Sequence, residues 1–139
     1  MKKLNNKLKG FIDSSVLLSN SNLMIVSDGE IIYWKSPQCD DNKLVFTELS
    51  NDIRRILDKF ERNINSTKEL FIKNAEETIP LFKNDSTVYV GQVFLPVWYK
   101  NKLKMVLVYY RTIGGYIESS TKVMKTTAGF VPKFIELYG

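Results

Sequence analysis

Histidine is absent from this chain, and cysteine occurs once, at Cys39. The first absence removes the commonest general base and the commonest metal ligand together. It excludes Ser/His and Cys/His catalysis, histidine-ligated haem and the usual zinc centres. The second rules out an internal disulfide and suits a reducing, cytoplasmic setting. No apolar run is long enough to span a bilayer. Lys2 and Lys3 lead into no signal-peptide core, so neither a membrane span nor an export signal is expected. Glycine is sparse, seven among 139 residues, and Gly114-Gly115 lacks the pattern of a phosphate-binding loop. Acid is in deficit as well, with 15 carboxylates against 20 basic side chains and a net charge of +5. The excess lies in two spots, residues 1–20 and 86–112. It serves solubility first and an acidic partner second, and falls short of a dedicated nucleic-acid binder. The acidic pairs Asp40-Asp41 and Glu76-Glu77 have no third ligand at a metal-binding spacing, and nothing basic flanks Cys39. The chain is therefore expected to hold no metal or cofactor and to be no enzyme.

What is present is a dense β-forming stretch from Thr87 to Thr112. Val88, Tyr89, Val90, Val93, Phe94, Val97 and Trp98 fill one arm, and Met105 to Tyr110 fill the other. Such crowding predicts two central antiparallel strands reversing at Asn101-Lys102, covered on both faces. Pro96 needs a bulge or an unpaired position. Alternation sorts the first arm into Val88, Val90, Gln92, Phe94 and Trp98 on one face and Tyr89, Gly91, Val93, Leu95 and Val97 on the other. The second set, small and aliphatic, suits a covering helix. The first sets one amide among large rings, as in a small-ligand pocket.

Around this hairpin the periodicities change. Leu4, Leu8, Phe11, Ile12 and Ser15 predict a helix over 2–19. Asp28-Gly29 between Leu23–Val26 and Ile31–Trp34 predicts a hairpin. Phe46, Leu49, Ile53, Ile56, Leu57 and Phe60 predict a helix over 46–62, and Leu70-Phe71-Ile72 a short strand. Residues 75–86 read as a loop whose Ile79, Leu81 and Phe82 tuck under something, as in a pocket lid. A last helix over 116–138 carries two stripes. Ile117, Met124, Ala128, Val131, Ile135 and Tyr138 form a seam near heptad spacing, and Val123, Phe130, Phe134 and Leu137 form the second. One can cover the sheet while the other meets a partner helix. Pro132 predicts a kink. The element order is then α–β–β–α–β–β–β–α in one domain, 1–139.

Gln92-Val93-Phe94-Leu95-Pro96-Val97, a turn, a second apolar strand and a helix with Lys125-Thr126-Thr127-Ala128-Gly129-Phe130 resemble the C-terminal GAF-like domains of the stage V sporulation protein T family of transcription regulators. The likeness runs over about 22–135. It implies an α+β fold, a GAF/PAS-like antiparallel sheet with the terminal helices packed on one face, and a sensory role. That family's swapped-hairpin DNA-binding domain has no counterpart here, so a stand-alone module without direct nucleic-acid binding is expected. Asn101 and Met105 stand where GAF domains tend to carry glycine. The expectation is a homodimer through residues 2–19 and 116–138, with Leu8, Phe11, Met124, Phe130, Val131 and Phe134 at its interface. A small molecule would meet Trp34, Phe71, Phe82, Gln92, Phe94 and Trp98, in the service of transcription or sporulation control. The alternative is an adaptor for a regulatory protein, with a filled core and no ligand.

Overall fold

The computed structural model describes residues 5–37, 48–63, 70–72, 78–111 and 118–138. Its elements follow the expected order: α1 (Asn6–Ser19), β1 (Asn22–Ser27), β2 (Glu30–Lys35), α2 (Asn51–Arg62), β3 (Leu70–Ile72), β4 (Val90–Tyr99), β5 (Lys102–Arg111) and α3 (Glu118–Tyr138). The strands form one sheet in the order β2-β1-β5-β4-β3, with every neighbouring pair antiparallel. β4 and β5 thus lie inside, as their two-faced apolar sequence requires.

Both hairpins close on two-residue turns with positive φ at both positions: Asp28 (53°) and Gly29 (77°), then Lys100 (50°) and Asn101 (63°). That is the backbone whose twist matches right-twisted strands. The second turn sits one residue earlier than the expected Asn101-Lys102, because Lys102 already pairs with Tyr99. α2 likewise begins at Asn51 rather than at 46, and Phe46 lies outside the described residues. Ser50 starts the helix, its Oγ accepting from Ile53 N at 3.2 Å, which satisfies one of the free amides of the first turn.

Two cores result, one on each side of the sheet. On the first, α1 and α3 set Leu8, Ile12, Val16, Met124 and Val131 against Leu23, Ile25, Val93, Leu95, Val97, Leu107 and Tyr109. On the second, Ile53 of α2, with Leu49, Leu81 and Phe82, covers Met24, Val26, Phe94, Val106, Val108 and Tyr110. The terminal helices lie together, the rings of Phe11 and Phe134 stacking at 4.6 Å. α3 continues as one helix past Pro132. α1 ends at Asn20, whose left-handed backbone (φ 51°) returns its N–H to Leu17 O, a role usually taken by Gly and sometimes by Asn. Arg111 clamps the same terminus, donating Nε to Asn20 O at 3.1 Å and a further N–H to Ser19 O.

Candidate functional site

Two surfaces carry the residues singled out by sequence. The first is the face under residues 78–89, a segment without helix or strand apart from one bridge, Leu49 to Phe82. Its path is fixed by side chains. The fully buried Gln92 accepts from Ile79 N at 3.2 Å and donates to Ile79 O at 2.8 Å, so its amide pairs with a peptide as a neighbouring strand would. Ser50 Oγ donates to Pro80 O at 2.5 Å, and Ser50 N to Leu81 O at 3.0 Å. The loop therefore does tuck in, with Leu81 and Phe82 buried.

Phe82 sits in an aromatic box. Its ring meets Tyr89 at 5.8 Å and Tyr110 at 6.1 Å, both edge-on, and Tyr89 meets Tyr110 at 5.0 Å. Trp34, half-buried, closes the side by donating Nε1 to Tyr110 Oη at 2.7 Å. The structure thus brings Trp34, Phe82, Gln92 and Phe94 to one face, where each packs against protein. Trp98 stands half-buried near the Lys100-Asn101 turn. Phe71 pairs through its backbone with Val93, and its side chain lies outside the described residues, as do Asp40, Asp41, Glu76 and Glu77. Gln92 is a satisfied core amide here, its partner being the chain itself.

Tyr89 corrects the strand alternation. Expected on the helix-covered face, it lies on the opposite one, because the pairing of β4 with β5 slips between Val90 and Val93. Gly91 takes φ 58° within that slip, and glycine inside a strand is the mark of a bulge. That signal was available in the sequence. Tyr89 Oη donates to Asp85 Oδ2 at 2.5 Å. Burial, then this bond and the carboxylate's charge, push the phenol up to about 12. Desolvation raises the Asp85 carboxyl, but the bonds it accepts from Tyr89 and Thr87 outweigh that and hold it below the usual range. Both groups keep ordinary charge states at neutral pH, so the pair ties the segment down rather than moving protons.

A crevice beside the Asp28-Gly29 turn, lined by Val26, Leu57, Glu61, Leu103 and Lys104 among others, has a volume of about 20 Å³, room for a single water. No three Cys, Asp or Glu side chains among the described residues could share a metal ion. None of the helices among those residues is long and apolar enough to cross a membrane.

The second surface is the outer side of the α1–α3 layer. Leu8, Met124 and Val131, expected at a dimer interface, face the sheet and are buried in the single chain. They are not presented to a partner, because the heptad seam of α3 is the stripe that covers the sheet. The other stripe faces α1 and solvent. Phe11 meets Phe130 at 6.3 Å and stacks on Phe134, while Phe130 stays 48% exposed and Leu137 72%. Leu18 (72%), in line with Phe11 on α1, extends the apolar surface, while Leu17 (65%) is exposed further round the same helix.

One solved structure similar to this chain is the photoproduct state of GAF3 from Slr1393 of Synechocystis sp. PCC6803. It superposes with a TM-score of 0.56 at 14% identity, covering 95% of either chain. The fold is GAF-like. At that identity the likeness carries the architecture alone. The LokiProfilin1–rabbit actin complex contains a chain that superposes at 0.49 with 18% identity over 96% of this chain and 99% of that one, below the level at which a shared fold follows. No family model matches this chain, and no curated protein matches it in sequence.

Proposed function

We propose that this chain is a regulatory module of GAF-like fold that acts by association through its α1–α3 layer rather than by catalysis, within the cytoplasm. The observation supporting this reading is the exposure of Leu18, Phe130 and Leu137 around the half-buried, stacked Phe11, on a domain whose other large side chains are mostly enclosed. Exposed apolar patches of this kind usually mark interaction sites. A homodimer through the terminal helices is one form of the reading, and a regulatory protein partner is the other. Transcription or sporulation control as the setting has only the short sequence resemblance behind it. Photocrosslinking in the producing cell tests the reading: a crosslinking residue at 130 or 137 should capture a polypeptide, while one at 59 on α2 should not. Capture at neither stripe position overturns it.

A second reading has its own observation. Residues 78–89 lie across an aromatic face on a few side-chain anchors, so a small flat molecule that displaced Phe82 would gain the box of Trp34, Tyr89 and Tyr110. Thermal shift against a metabolite panel checks this, since only a bound ligand raises the melting temperature with its concentration.

A further inference from the structure

The α1–α3 seam is apolar along its floor and basic along its rims. On α1, Lys7, Phe11, Ser14 and Leu18 follow one another at four, three and four residues, a single stripe. On α3, Phe130, Lys133 and Leu137 repeat that spacing. The helices run antiparallel: Phe11 meets Phe134, while Ser15, one turn on, shares Tyr109 with Thr127. From Val123 to Leu137 the α3 stripe is about 21 Å long at helical rise, the length of four helical turns.

The charges around the seam are mostly positive. Residues 5–19 and 120–137 hold Lys7, Lys9, Lys122, Lys125 and Lys133 against Asp13 and Glu136. Asp13 is turned to β2, where it accepts from Tyr33 at 2.5 Å, and Lys9 lies over that same ring. Lys133, Lys122 and Glu136 stand about 60°, 80° and 120° round α3 from Phe130, all on its outer side, so the two cations lie nearer the apolar stripe than the carboxylate does. The seam therefore has Lys7, Lys122 and Lys133 beside its apolar stripe, with one carboxylate, Glu136, further out on α3, and its edge is net positive.

We propose that this seam docks an acidic amphipathic helix of a partner protein. Its apolar face lies on Phe11, Leu18, Phe130 and Leu137, and its flanking carboxylates meet Lys7, Lys122 and Lys133. The inference rests on the association reading above and names the partner's chemistry. A second copy would bring a seam of the same net positive charge, which opposes an isologous contact on this face.

The probes are two synthetic amphipathic helices of about 18 residues with one identical Leu/Phe face, flanked by Glu in one and Lys in the other. They are titrated into the full chain by fluorescence anisotropy. The Glu peptide should bind at least about tenfold more tightly at low salt, with the advantage shrinking as salt screens the rims. Combined Lys122→Glu and Lys133→Glu should reverse the preference. Phe130→Asp should abolish binding of both peptides while the circular dichroism is unchanged. Equal affinity for the two peptides, no binding of either, or a preference that survives the charge swap overturns the inference. So does stronger binding to anionic phospholipid vesicles than to the Glu peptide. A dimer in sedimentation that Phe130→Asp dissociates also overturns it, yet leaves association through the seam standing. Absence of any crosslink from positions 130 and 137 removes both.

Discussion

Single polar groups decide how the covered face is held. Gln92 is the sharpest case, since its two amide atoms satisfy both polar groups of the Ile79 peptide. Gln92→Leu leaves that N–H and C=O without those partners, which should cost about 1–3 kcal/mol in urea unfolding. Gln92→Glu separates hydrogen bonding from shape. Ionised, it can accept from Ile79 N but repels Ile79 O; protonated, it reproduces the amide. Burial raises its folded-state pKa above the unfolded value, so the variant should gain stability as pH falls below neutrality while wild type does not. A variant with no such pH dependence would show that the amide is not the clamp. The buried phenols give the complementary test at high pH. Burial pushes Tyr109 up to about 12 against the bonds from Ser15 and Thr127 that lower it, and Tyr89 also reaches about 12. Tyr33, desolvated and bonded to Asp13, is raised as well. Folded values above the unfolded one mean stabilisation that is complete below about pH 10 and lost as pH climbs towards 12. Urea midpoints should fall across that window, and Tyr109→Phe should flatten the fall.

Turns and caps set the elements and fix where each one stops. Lys100 at φ 50° is a side chain in a region that favours Asn and Gly, and Asn101 follows at 63°. Lys100→Asn with Asn101→Gly supplies the pair this turn prefers and should stabilise the chain by about 0.5–1 kcal/mol, read as a shifted denaturation midpoint. Ser50 does two jobs, capping α2 and donating to Pro80 O. Ser50→Ala should lose about 1–2 kcal/mol. Ser50→Asp restores the cap without the donor, so it should recover helix stability while hydrogen exchange at residues 78–82 stays faster than in wild type. Exchange there equal to wild type would mean that the Pro80 bond holds nothing.

Across the whole molecule, the legible part of the sequence was whatever periodicity expresses. The order of all eight elements, the doubly covered central hairpin and the pairing of the terminal helices follow from apolar spacing and turn residues. Less legible was anything set by one residue out of step. Gly91 inverts Tyr89 by inserting a slip that alternation cannot see, and Ser50 moves the start of α2. Leu8, Met124 and Val131 turned inward for another reason: spacing shows that α3 has two apolar stripes but not which one the sheet takes. Met124 and Val131 went inward, while Phe130 and Leu137 stayed out. Gln92 looked like a ligand contact because an amide among rings reads the same whether its partner is a small molecule or a loop of the same chain. This division into two cores yields a prediction about cooperativity. Ile12 lies wholly buried under α1 and Ile53 wholly buried under α2, on opposite faces of one sheet. Truncating either to Ala should cost about 2–5 kcal/mol, and with the sheet between them the two losses should add. Because both cores share the β-strands, neither face can melt and leave the other intact. Far-ultraviolet dichroism and tyrosine fluorescence should therefore report one coincident transition in wild type and in each variant. Two separated transitions in Ile53→Ala would show instead that the α2 face is an independent unit laid on a sheet that stands without it.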